Sequence, residues 1–176
     1  GNATMQFGGR YEPITGIGRS AQLERAPGYS GTLAEVEVDE GTGEVRVTQL
    51  VTVQDVGRAL NPLAIEGQMH GGAVQGIGWS LYERMVHDET GQLLSASLMD
   101  YAVPRAEHAP NLEAVIVEVP SPSGPFGARG VGEPAIIPPG AAIANAVRDA
   151  IGVRVPDLPI TPEMVFAATH NGDRQR

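Results

Sequence analysis

Glycine constrains this chain more than any other residue. It occurs 23 times without a strict period, beside 14 prolines, and is densest in two stretches, 67–78 and 124–134. At that level it marks places where backbone approaches backbone or ligand closely, because only glycine lacks the Cβ that would hold them apart. The rest of the chain is ordinary enough to fold around them. With 176 residues, 41% hydrophobic and 19% charged, it can bury a core as one soluble domain or two small ones. A formal charge of -9 argues against a nucleic-acid or anionic-lipid partner, since both need a basic surface. Without cysteine, the chain forms no disulfide, ligates no iron–sulfur cluster and offers no thiol nucleophile. No apolar run reaches the roughly 20 residues of a membrane helix, and the start lacks a basic segment followed by an apolar one. The expected location is cytoplasmic, with no membrane contact.

Residues 1–31 have no clear period and read as an irregular lead-in, 32–170 as one domain, and 171–176 as a frayed tail. Leu33–Val38 and Val45–Val53, separated by Glu40-Gly41-Thr42-Gly43, predict a hairpin. Val74, Ile77, Gly78, Leu81 and Met85 lie on one helical stripe and predict a helix over about Gly72–Met85. Leu93–Leu98 reads as a short strand, and Leu112–Val119 as a strand covered on both faces. Pro120–Pro139 is a long loop. Pro139 at a first turn, the stripe Ile143, Val147, Ile151 and a closing Gly152 predict a second helix, and Thr161-Pro162-Glu163 starts a short third. The fold class is α+β, a mixed sheet packed with two main helices.

The first glycine cluster runs Gly67-Gln68-Met69-His70-Gly71-Gly72-Ala73-Val74-Gln75-Gly76-Ile77-Gly78. At a helix start its amides would bind an anion and its bare backbone would admit a phosphate or a pyranopterin edge. The alternative is tight helix packing, and the spacing is not that of a Walker loop. In the second cluster Glu133 stands between glycines and a proline, at the end of a backbone-walled slot. A carboxylate so shielded is raised toward working pH and can serve as general base; the alternative is a solvated loop glutamate. Arg129 could pair with Glu133 or with an anionic group. The four histidines show no metal-ligand spacing, so no protein-ligated metal is expected. Asp100-Tyr101 with Pro104-Arg105 reads as a structural polar turn, and Trp79 and Tyr82 as second-side packing or a subunit contact.

In series, Asp55-Val56-Gly57 with Asn61-Pro62, the Gly67–Gly78 cluster, Met99-Asp100-Tyr101 with Pro104, Gly127–Pro134, Ala142–Ala146 and Leu158–Glu163 resemble the C-terminal part of the molybdopterin-binding large subunit of the xanthine dehydrogenase, aldehyde oxidase and carbon monoxide dehydrogenase family. The resemblance implies a molybdenum hydroxylase that oxidises an aldehyde or N-heteroaromatic carbon with water as oxygen source. It implies a molybdopterin cofactor, commonly the cytosine dinucleotide form, contacted at Gln68 with Gly67, Gly71, Gly72, Gly130 and Gly132 around it. It places on Glu133 the role of base toward a molybdenum-bound hydroxyl. It further implies that iron–sulfur clusters and FAD sit on partner domains or subunits, and that the remaining part of the large subunit completes the site.

Family large subunits run to several hundred residues, so a chain of this length would be a split subunit or a piece. It would then expose an apolar, glycine-lined face near Gln68 that a partner covers. A non-catalytic assembly module is the competing reading; intact Glu133 and Gln68 favour the enzyme.

Overall fold

The computed structural model describes residues 16–17 and 24–171. Most of the lead-in, and the tail beyond residue 171, therefore lie outside the described residues. Strands β1 (Tyr29–Val38) and β2 (Val45–Asp55) form the expected antiparallel hairpin. Its turn is shaped by Asp39, whose Oδ1 accepts from the amides of Gly41 and Thr42 at 2.8 and 3.1 Å. Gly43 closes it at φ 78°, against the Pro162 carbonyl where no side chain fits. Because β1 begins at Tyr29, residues Tyr29, Ser30 and Gly31 belong to the sheet and not to an irregular lead-in.

Strand β2 changes phase half-way. Val45 and Val47 are buried, but Glu35 pairs with Gln49 and Val36 with Val47, so Thr48 is left without a partner. Beyond this bulge the buried positions become Leu50, Thr52 and Gln54. One extra residue turns every later side chain to the opposite face.

Helix α1 (Pro62–Leu81) starts about ten residues before the expected Gly72 and ends four before Met85. Asn61 caps it, its side chain accepting from Ala64 N at 3.1 Å, and Pro62 fills the first helical position. The buried stripe runs Ile65, Met69, Ala73, Ile77, Leu81, with Val74 half-buried and Met85 exposed beyond the helix end. The Gly67–Gly72 cluster is therefore inside the helix, where its amides serve the helical ladder, and the anion site expected of a helix start is not formed there.

The chain then returns through β3 (Asn111–Val117), which lies parallel to β2 and completes a three-stranded mixed sheet in the order β1-β2-β3. As an edge strand it is half-buried or exposed throughout, not covered on both faces. Leu93–Leu98 forms no strand; its one ladder contact is an isolated bridge between His87 and Leu93. Helix α2 (Pro139–Ile151) matches expectation at both ends, with Gly152 closing it at φ 74°. Helix α3 (Pro162–Asn171) follows Thr161 as expected.

The main core joins Val45, Val47 and Leu50 of the sheet to Ile77, Ile143 and Val147 of the helices. A smaller cluster of Val56, Ile65, Met69 and Ala135 lies beneath the loop that carries Glu133. The α+β class holds. No helix among the described residues is long and apolar enough to cross a membrane.

Candidate active site

The carboxyl end of β2 sets the position of the second glycine cluster. Gln54 is fully buried, and its Nε2 donates to the carbonyls of Val131 at 3.1 Å and Gly130 at 3.5 Å. Asp55 is the next anchor: its Oδ1 accepts from Gly57 N and Val119 N, and its Oδ2 pairs with Arg129 Nε at 3.2 Å. Arg129 also donates from Nη1 to Pro27 O at 2.6 Å, and its guanidinium lies 5.8 Å from the centre of the Tyr29 ring. With side chains only 10% and 12% exposed, Arg129 and Asp55 form a shielded latch between loop and sheet. Arg129 thus pairs with Asp55, not with Glu133. From the opposite strand, Ser30 Oγ donates to Pro134 O at 2.8 Å.

Glu133 opens a 3₁₀ turn, Glu133–Ala135, and its carboxylate is exposed. The shielding expected of its slot is not supplied by the described residues. Gln68 approaches from α1: its Oε1 lies 3.2 Å from where a Cβ on Gly132 would sit. The first and second clusters, 64 residues apart at these positions, therefore meet. A cleft of about 230 Å³ beside them is lined by Leu60, Asn61, Gln68, Ala128, Arg129 and Val131. A larger one, about 450 Å³, is bordered by Glu44, Tyr82, Arg105, His108 and Pro162 and holds neither Gln68 nor Glu133. In that cleft Tyr82 stacks on His108, and burial, with Glu44 nearby, raises its phenol above the ordinary range. Asp100 lies in a turn, as expected, though no strand precedes it; the Tyr101 hydroxyl donates to Glu83 at 2.7 Å, which raises its pKa.

The glycines of α1 divide by face. Gly72 and Gly76 pack where a Cβ would stand 2.7 Å from the Cβ of Ala135 and 2.6 Å from that of Pro139. Gly72, expected on the ligand side, is thus a packing position. A Cβ built on Gly67, Gly71 or Gly130 would meet nothing within 4 Å among the described residues. Leu63, Gly67, Gly71 and Gln75, spaced by four, form an exposed strip, with Leu63 80% exposed. The strip is glycine-lined as expected beside Gln68, with Leu63 its one apolar side chain and Gln75 polar.

Residues 3–110 match the family model of the molybdopterin cofactor-binding domain. The chain belongs to that family. It is 46% identical over 142 residues to the gamma subunit of the 6-hydroxypseudooxynicotine dehydrogenase complex of Paenarthrobacter nicotinovorans, covering 79% of this chain and 18% of the relative. It is 40% identical to the xanthine dehydrogenase molybdenum-binding subunit of Escherichia coli, over 82% of this chain and 19% of that protein. The aldehyde oxidoreductase of Desulfovibrio gigas superposes with a TM-score of 0.74 at 41% identity, over 81% and 15% of the two chains. The chain spans about a fifth of the length of the curated relatives it matches.

The described residues suit a molybdopterin cofactor on their own geometry. The α1 strip offers bare backbone to a flat ring system, and Gln68 offers a carboxamide beside it. Across from them, the amides of Gly130, Val131, Gly132 and Glu133 donate to no acceptor among the described residues. Uncommitted donors on a glycine-rich loop fit a cofactor rich in acceptor atoms. Sequence reasoning singled out Gln68, Gly67, Gly71, Gly130, Gly132 and Glu133, quoted Asp55 only within a motif and without a role, and missed Ser30 and Gln54. For Gln54 the available signal was the alternation Leu50, Thr52, Gln54.

Proposed function

We propose that this chain is the part of a molybdenum hydroxylase that presents the general base and one wall of the cofactor site, acting on an aldehyde or N-heteroaromatic carbon with water as oxygen source. The observation that carries the reading is the approach of Gln68 to Gly132, the residue before Glu133, which joins the two glycine clusters beside a cleft lined by Gln68, Ala128, Arg129 and Val131. When bound, the cofactor, in the cytosine dinucleotide form, supplies a two-electron redox centre. Gln68 binds and orients it, and Gly67, Gly71, Gly130 and Gly132 let it approach the backbone. Glu133 accepts, on a carboxylate oxygen, the proton released as the water-derived oxygen becomes bonded to carbon. The remainder of the large subunit supplies the other wall and shields Glu133 from bulk water, while iron–sulfur and flavin centres on partners receive the electrons.

The test is turnover per bound molybdenum in the assembled enzyme. Glu133→Gln keeps volume and cofactor content, and turnover falls by about 10²–10⁴-fold. Gln68→Ala lowers molybdenum content together with activity. Near wild-type turnover per metal in Glu133→Gln would refute the assignment and make an assembly role the better account.

A further inference from the structure

Besides the Arg129–Asp55 latch, two side chains hold the stretch on either side of Glu133, and they form one cross-strand pair: Ser30 of β1 stands directly opposite Gln54 of β2 in the sheet register. Gln54 Nε2 holds the carbonyl of Val131, two residues before Glu133, and Ser30 Oγ holds that of Pro134, one residue after it. Glu133 is thus fixed from both sides by two donors on the same rung, while its own side chain is left exposed.

Strand β2 is shaped to make this possible. Had the alternation of Val45 and Val47 continued, position 54 would face outward and Val53 inward. The unpaired Thr48 reverses that phase, so Gln54 enters the interior and Val53 is left 37% exposed. Gln54 Oε1, meanwhile, is buried with no partner among the described residues. An apolar side chain of similar volume would avoid that cost, so packing alone does not account for glutamine here.

We infer that the Ser30–Gln54 rung is the positioning device for Glu133, holding its carboxylate at the geometry proton transfer requires. The inference rests on the reading of Glu133 as the base. Neither residue touches substrate or cofactor; both act through the loop carbonyls.

The experiment compares Gln54→Met, Ser30→Ala and Ser30→Thr, in wild-type and Glu133→Gln backgrounds of the assembled enzyme. Benzaldehyde and quinoline serve as probes, whichever the wild type oxidises. Turnover per bound molybdenum should fall about 10–100-fold in Gln54→Met, since displacement by about 1 Å costs that much in an aligned reaction, with KM little changed. Ser30→Thr should restore what Ser30→Ala loses. Hydrogen exchange of the 130–134 amides should quicken in Gln54→Met while β1 and β2 stay protected.

The deciding readout is the background. If the rung acts through Glu133, adding Gln54→Met to Glu133→Gln costs nothing further. An equal loss in both backgrounds, or unchanged turnover in Gln54→Met, overturns the inference. So does a loss of molybdenum in both Gln54→Met and Ser30→Ala that Ser30→Thr does not restore. Full turnover in Glu133→Gln alone would instead refute the base assignment itself, and this inference with it.

Discussion

Alanine at Gly71 and at Gly72, neighbours on α1, should move stability in opposite directions. A Cβ at Gly72 would lie 2.7 Å from the Cβ of Ala135 and 3.2 Å from the Ile136 nitrogen. Carbon atoms pack comfortably at about 3.5–4.0 Å, so the turn holding Ala135 must retreat by about 1 Å. Ala135 is fully buried, and its contacts at this point are backbone and a methyl group, with no flexible side chain to give way. Overpacking of this kind costs about 1–3 kcal/mol, against about 1 kcal/mol recovered by replacing a helical glycine with alanine. Gly72→Ala should therefore be destabilised by about 0–2 kcal/mol. Gly71 has open space at its Cβ position, so Gly71→Ala should gain about 0.5–1 kcal/mol. Urea unfolding of the two variants beside wild type gives the comparison from midpoints at equal m-value. Turnover should separate them again: the displaced turn begins at Glu133, so Gly72→Ala loses rate per bound molybdenum. In Gly71→Ala the new methyl sits on the strip assigned to the cofactor, so molybdenum content falls. Gly72→Ala as stable as Gly71→Ala or more so, or equal destabilisation of both, would refute the division of α1 into a packed face and an open one.

Ile143 is fully buried at the centre of the main core, and Ile143→Ala should cost about 2–5 kcal/mol, read from the same unfolding midpoints. At the start of α3, a backbone amide bond and then the Thr161 hydroxyl hold Glu163 below the ordinary carboxylate range. A carboxyl lowered in the folded state contributes stability that is present above its unfolded pKa, about 4.3, and lost as pH falls through the lower folded value. The melting temperature of the wild type should therefore fall more steeply than that of Glu163→Gln from about pH 5 to pH 3.

What could be read from the sequence depended on whether a signal was local. Helix α2 was legible at both ends because Pro139 and Gly152 act within their own turns, and the β1–β2 turn because Gly41 and Gly43 lie beside its Asp39. The start of α1 was obscured by its own composition. Five glycines make a weak helix by propensity, and packing on Ala135 and Pro139, distant in sequence, overrides that. Asn61-Pro62 carries the capping signal that the helix uses. Gln68 and Glu133 stood out because their surroundings are unusual. Gln54 and Ser30 looked like ordinary strand polar residues, and their roles depend on a bulge and a register that only pairing reveals. The partner of Arg129 was hidden for the same reason: Asp55 lies on another element, while Glu133 lies nearby in sequence.

The parallel pairing of β2 with β3 also dictates an order of assembly. The β1–β2 hairpin closes over a short turn, whereas Gln49 must find Asn111 roughly 60 residues away, across the whole of α1. Pulse-labelled refolding should therefore record protection in β1 and β2 before β3. The loop bearing Glu133 follows β3 in the chain and settles on an anchor, Gln54, that the early hairpin already holds in place. Late arrival of that wall means that Glu133 takes its place only after the sheet residues that hold its two neighbouring carbonyls are already paired.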